Sequence, residues 1–257
     1  MKKLIALLLA LCLTLSAAAA LADSLDDILA KGSITIASEG CWAPWTYEDE
    51  NGLTGFDIEV GLRIAEKLGV EADLVACDWD GLFAGLSSGR FDLVINGVDI
   101  TDERRETFDF SDPYVSEHMV VIVRSDNDDI HSFEDLNGKT TANTLASSYS
   151  ITAESYGATP MGVDDLNQTL ELVMTGRIDA TLNDESAYSA YMAEYPDAPL
   201  KIAARSEEGA LKGIPVPKGE DSARLLAVIN EVIAEMIESG EMEELSVKYF
   251  GSYNPIQ

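Results

Sequence analysis

Three times within the first hundred residues, a short apolar run suited to a buried strand ends in a polar loop and gives way to apolar residues at helical spacing. Residues 33–38 alternate polar and apolar side chains, residues 70–76 return as a second strand, and Phe91-Asp-Leu-Val-Ile95 is a third. Between them Phe56, Val60, Ile64 and Leu68 recur at every fourth position before Gly69, and Leu82 and Leu86 precede a stop at Gly89. This order predicts an α/β fold with mainly parallel strands, because a parallel return needs a crossover long enough to hold a helix. The three strand-to-helix loops then open along one edge of the sheet, where ligands of open α/β sheets bind.

Those loops carry the residues with chemistry. The first holds Glu39 and Trp42, and the second holds Trp79. Each tryptophan is either a lid over core or a stacking surface for a ligand. The third begins at Asn96-Gly97, where glycine lets backbone approach a ligand closely, and runs through Asp99 to Thr101. Thr101 is a candidate cap for a helix whose first turn holds Asp102 and Glu103. Arg104 follows, and its planar fork either grips a carboxylate through two parallel hydrogen bonds or pairs with Glu103 or Glu106 at the surface.

After Tyr114 the pattern restarts with Met119-Val-Val-Ile-Val123, so a second α/β lobe is expected. Ala146, Ser147 and Ser148 open a helix there, which makes them an anion site or an ordinary cap. Asp184 ends another strand, as a helix cap or as the acceptor of an ammonium. Residues 213–217 read as a strand returning to the first lobe, ahead of closing helices over 220–239 and 241–250.

The opening Met-Lys-Lys, the apolar run over residues 4–15 and the small residues before Asp23 read as a secretory leader over 1–22. Losing Lys2 and Lys3 with it takes the net charge from −29 to −31. Such an acidic balance argues against nucleic-acid or anionic-membrane binding. An exported, periplasmic or otherwise extracytoplasmic protein is expected. Cys12 would leave with the leader, and Cys41 and Cys77 remain as a disulfide or as two free thiols. The sequence offers no cofactor motif, metal-ligand spacing, nucleophile triad or phosphate loop, so neither cofactor nor metal is expected.

Read together, Gly55-Phe-Asp-Ile-Glu-Val60, Trp79-Asp-Gly-Leu82, Ser88-Gly-Arg-Phe-Asp92, Ile100-Thr-Asp-Glu-Arg104, Phe110-Ser-Asp-Pro-Tyr114, Gly176-Arg-Ile-Asp179 and Lys248-Tyr-Phe-Gly251 carry a resemblance. Over essentially all of the mature chain, the sequence resembles the polar-amino-acid solute-binding proteins of ABC importers, family 3. Residues 141–149 and 179–185 are most similar to the cystine-binding branch. The resemblance implies a two-lobe periplasmic binding protein-like II fold with two hinge crossovers, near residues 116–119 and 209–213. Lobe 1 would comprise 23–117 with 211–257, and lobe 2 would comprise 118–210. It implies a monomer that closes on one amino acid and works with separate permease and ATPase subunits.

Carried over by position, Arg104 would bind the ligand α-carboxylate with Ser148 and backbone near Gly97 and Ser147. Asp184 would take the α-ammonium, and Trp42 and Trp79 would stack on the side chain. Asp99 departs from the serine common at its position, and Glu39 adds an acid in the first loop. A desolvated carboxylate needs a partner, so the two suggest a second cationic group on the ligand, as in cystine, lysine, arginine or ornithine. Alternatively Asp99 joins Asp184 on a single ammonium while Glu39 stays solvated. The competing function is a cyclohexadienyl dehydratase-like enzyme with Glu39 as general acid.

Overall fold

The structure, a computed structural model, describes residues 23–251, so the leader expected over 1–22, Cys12 included, lies outside the described residues. β1 (Ser33–Ser38) leads into a small antiparallel sheet of β2 (Cys41–Trp42), β3 (Thr46–Asp49) and β4 (Gly52–Thr54), where the sequence suggests only loop and turn. Strands of two to four residues are too short for alternation to announce them. The chain returns through the helix Phe56–Leu68 to β5 (Glu71–Ala76), and through the helix Trp79–Ser87 to β6 (Leu93–Val94). Both flank β1 in parallel, with Ser33 opposite Glu71 and Ile36 opposite Leu93.

Side-chain alternation sorts the two faces of this sheet. Ile34 and Ile36 pack with Val60, Ile64 and the closing helix Ala223–Ser239 through Ile229 and Ile233. Ala37 and Val94 pack with Leu82 and Leu86 on the other face. Helices therefore cover both faces, and only the strand ends stay open.

β7 (Phe108–Phe110) and β8 (Val115–Glu117) carry the chain out of this half. The second half is built on β9 (Met119–Arg124), β10 (Thr140–Asn143), β11 (Thr159–Gly162), β12 (Ala180–Asp184) and β13 (Leu200–Arg205), in the order β11-β10-β12-β9-β13. β10, β11 and β12 run parallel, and β9 lies antiparallel between β12 and β13. Val121 and Val123 join Ala180 and Leu182 in one cluster, and Val120 and Ile122 join Ala142 and Leu170 in another. A strand buried on both faces accounts for the unbroken apolar run that marks β9 in the sequence.

β14 (Ala210–Lys212) and β15 (Pro215–Pro217) bring the chain back, pairing antiparallel with β8 and β7 respectively. The outgoing and returning crossovers thus lie side by side. The architecture is α/β, with two sheet-and-helix lobes joined by this double crossover. An isolated bridge between Asp99 and Lys212 ties the returning strand to the loop beyond β6.

Candidate functional site

Between the halves lies a cleft of about 570 Å³ of space not filled by protein atoms, its open mouth included. Its first wall is made by the strand-end loops. Asn96 lies two residues past the end of β6, and its side-chain oxygen accepts from Ser38 Oγ and the Glu39 amide, both at 2.8 Å. Its Nδ2 donates to the Glu39 carboxylate at 2.6 Å, which fixes that acid in the cleft. Burial pushes the Glu39 carboxyl up to about 7 against this hydrogen bond, and the negative fields of Asp164 and Asp78 add to the rise.

Gly97 has φ 51°, and a Cβ there would stand 2.7 Å from the Trp42 ring, so the turn requires glycine. Its N–H donates to buried Asp57, which also accepts from Tyr114 Oη at 2.9 Å. Burial pushes Asp57 up to about 7, although both hydrogen bonds favour its charge. Trp42 stacks on the fully buried Trp45 at 5.4 Å between centroids, so the cleft-facing indole is backed by core.

Thr101 caps the helix Asp102–Thr107 by accepting from the Arg104 amide at 3.2 Å. Arg104 donates one bond to the Asp99 carbonyl at 2.9 Å and lies over Trp79, 5.2 Å from its centroid. Among the described residues no carboxylate comes within ion-pair distance of it, so neither Glu103 nor Glu106 takes its charge. Burial works against that charge and Asp99 supports it. Its guanidinium lines the cleft with donors to spare.

The second wall comes from the strand ends of the other half. Ser147 caps the helix Ser148–Ser155, and Ser148 Oγ reaches across to donate to Asp99. Asn143 spends its NH₂ on Thr181 and Leu182, leaving its buried oxygen without a partner at the cleft. Asn183 accepts from Trp42 Nε1 at 3.0 Å, a second bond across the gap.

Asp184 does not line the cleft. It lies behind the wall, 1% exposed, with Lys212 Nζ 2.9 Å from one oxygen and 3.2 Å from the other. The same ammonium is 2.6 Å from Asp99. The reading of Asp99 as an acid awaiting a second ligand cation is therefore corrected, because the chain supplies its own. Burial opposes the Asp99 charge but Lys212 outweighs it and holds that carboxyl below the usual range. For Asp184 burial prevails over Lys212 and the carboxyl is held above it. Burial also opposes the Lys212 charge, and the two acids raise its pKa despite it.

Glu39, Trp42, Trp79, Asn96, Gly97, Asp99, Arg104, Ser147 and Ser148 thus share one cleft. Ala146, in the left-handed region at φ 59°, faces a neighbouring hollow beside Trp79 and Phe83 instead. Sequence reasoning missed Asn143, Tyr149, Asp164, Asn183 and above all Lys212. The available signal for Lys212 was a lone cation between apolar Leu211 and Ile214 in a returning strand, in a chain with two strand-end acids to satisfy. Cys41 also lines the cleft, and both Cys41 and Cys77 are free thiols. Burial pushes the Cys41 thiol up to about 12, helped by Glu39, Asp165 and Asp164.

Two α/β lobes enclosing a small-ligand cleft that combines an uncommitted guanidinium with buried acids define a solute receptor. The chain belongs to the bacterial extracellular solute-binding proteins, family 3, whose model matches residues 34–252. It is 38% identical over 231 residues to the L-cystine-binding protein TcyA of Bacillus subtilis, covering 89% of this chain and 85% of that one. An ancestral arginine-binding protein bound to arginine superposes with TM-score 0.78 at 36% identity, over 86% of this chain and 99% of the other. The L-cystine solute receptor of Neisseria gonorrhoeae, in its unliganded open conformation, gives 0.61 at 39% identity, over 91% and 99%.

Proposed function

We propose that this chain is the exported receptor of an amino-acid ABC importer, closing on one polar L-amino acid and passing it to separate permease and ATPase subunits. Residues 23–117 with 211–257 act as one lobe and 118–210 as the other, hinged where β8 pairs with β14. Arg104 holds the α-carboxylate, assisted by Ser148 and backbone amides near Gly97 and Ser147. The α-ammonium lies toward Asp99, with Lys212 and the buried Asp184 behind it. Trp42 and Trp79 flank the side chain. Glu39, with Asp164 facing it, receives a positively charged far end, which favours cystine or a basic amino acid. Capture without chemistry is the whole task, and closure is a population shift, since only the closed form lets both lobes touch the ligand.

The observation that carries this reading is Arg104, largely buried at the cleft and without a carboxylate of its own among the described residues. Thermal melting against the twenty amino acids plus cystine and ornithine tests it. A ligand at a thousandfold its Kd stabilises the closed form by about 4 kcal/mol, a shift of many degrees in a domain of this size. Cystine, arginine, lysine or ornithine is expected to raise the midpoint. If no amino acid does, the reading fails.

One observation favours a second reading. A cleft carboxyl near pKa 7 suits a general acid, as a cyclohexadienyl dehydratase-like enzyme requires. Incubation with prephenate or arogenate decides it, since an aromatic product would establish the enzyme.

A further inference from the structure

Lys212 is a buried ammonium on the returning crossover, 1% exposed, held between an acid of the first half and an acid of the second. Its backbone is anchored beside Asp99: Ile100 N–H donates to the Leu211 carbonyl at 2.9 Å and Gly213 N–H to Val98 at 3.0 Å. The ammonium also lies 5.7–5.9 Å from the ring centroids of Trp42, Trp45 and Tyr149. The side chain is shut off from solvent. Its charge is therefore a fixed property of the site.

We propose that Lys212 is a specificity-determining residue, an internal counter-cation that sets how much positive charge a ligand must bring to the Asp99 end of the cleft, behind which Asp184 is buried. The inference rests on the amino-acid reading above and specifies its α end. Asp99, Asp184 and Lys212 together carry a formal charge of −1. One ligand ammonium neutralises that sum, and a ligand without one leaves a desolvated negative charge uncompensated. Replacing Asp99 by a neutral group makes the sum zero and removes the demand for an ammonium. Removing Lys212 as well restores −1 and with it the demand. A lysine that merely filled space would produce no such restoration.

Four proteins test this: wild type, Asp99→Asn, Lys212→Met and the double variant, each checked for native circular dichroism. Glu117, buried on β8, stays constant through the series. Calorimetry measures L-arginine against 5-guanidinopentanoate, which differ only in the α-ammonium, and L-cystine against 3,3′-dithiodipropionate, which lacks both of cystine's ammonium groups. Wild type is expected to prefer the amino acid by about 100-fold or more, as for a buried charge left unpaired. Asp99→Asn is expected to lose at least about tenfold of that preference, and the double variant to recover it to within about fivefold of wild type. Lys212→Met alone, with a sum of −2, is expected either to lose its fold or to keep the amino-acid preference at or above that of wild type. A preference equal in all folded proteins, or a double variant no better than Asp99→Asn, overturns the proposal. If wild type binds none of the four compounds, the receptor reading is in doubt by itself, and melting of the same proteins decides the charge count. There, a double variant less stable than Lys212→Met overturns it and a more stable one upholds it.

Discussion

Glu39 makes the affinity for a cationic amino acid depend on pH in a calculable way. In the empty cleft its carboxyl titrates at about 7, because burial removes its hydration and Asp164 and Asp78 face it with like charge. Asn96 is its hydrogen-bond partner, Cys41 lies beside it protonated, and no ion pair reaches it among the described residues. A ligand ammonium or guanidinium needs the ionised form, and such a contact lowers a carboxyl pKa by about 1–3 units. Taking about 2 units, affinity levels off above pH 7, falls about tenfold per unit below it, and is about 50-fold weaker at pH 5, at 1.36 kcal/mol per unit. Titration calorimetry from pH 5 to 8, in two buffers of different ionisation enthalpy, reads both the affinity and the proton released. Glu39→Gln should flatten the slope and weaken a cationic ligand near pH 8 while sparing a neutral one. Asp57 also titrates near 7, but it remains in that variant, so the difference isolates Glu39. A Kd constant within threefold over this range, or the same slope in Glu39→Gln, would refute the reasoning. The unliganded protein should move the opposite way. Between pH 4.5 and 7 the native state keeps a proton that the unfolded chain has lost, so stability falls as pH rises, by about 3 kcal/mol for Glu39 alone.

Arg104→Ala is expected to weaken every amino-acid ligand by about 100-fold or more in calorimetry, the scale for deleting one member of a buried charge pair, and unchanged affinity would place the carboxylate elsewhere. Gly97→Ala forces a Cβ against the Trp42 ring at a left-handed φ, so a loss of about 2 kcal/mol is expected from denaturant melts together with weaker binding. A thiol titration of the denatured, unreduced mature protein should count both Cys41 and Cys77. On the native protein, the Cys41 share should react slowly at neutral pH and more slowly still with ligand present.

The first half was legible because its signals are local. Apolar spacing gave the helices Phe56–Leu68 and Trp79–Ser87, and Asn96-Gly97 with Thr101 marked the turn and cap that aim Arg104. The same logic brought nine of the eleven candidate residues to one cleft. What stayed hidden depends on distant partners. Lys212 meets Asp99 across 113 residues and Asp184 across 28, and no periodicity reports a contact between three separate turns of the chain. The principle that a buried acid needs a cation was sound for Asp99 but was aimed at the ligand instead of at the crossover. Ala146 missed the cleft because its left-handed backbone turns it toward the adjoining hollow.

The Trp42 indole bonded to Asn183 turns occupancy into something visible. Its N–H is held from the opposite lobe while its face rests on Trp45, so parting the lobes would trade an amide oxygen for water beside a fluorophore. With only Trp79 as a third emitter, native ultraviolet fluorescence becomes a label-free gauge of opening, fast enough to time the arrival of a solute in a stopped-flow cell.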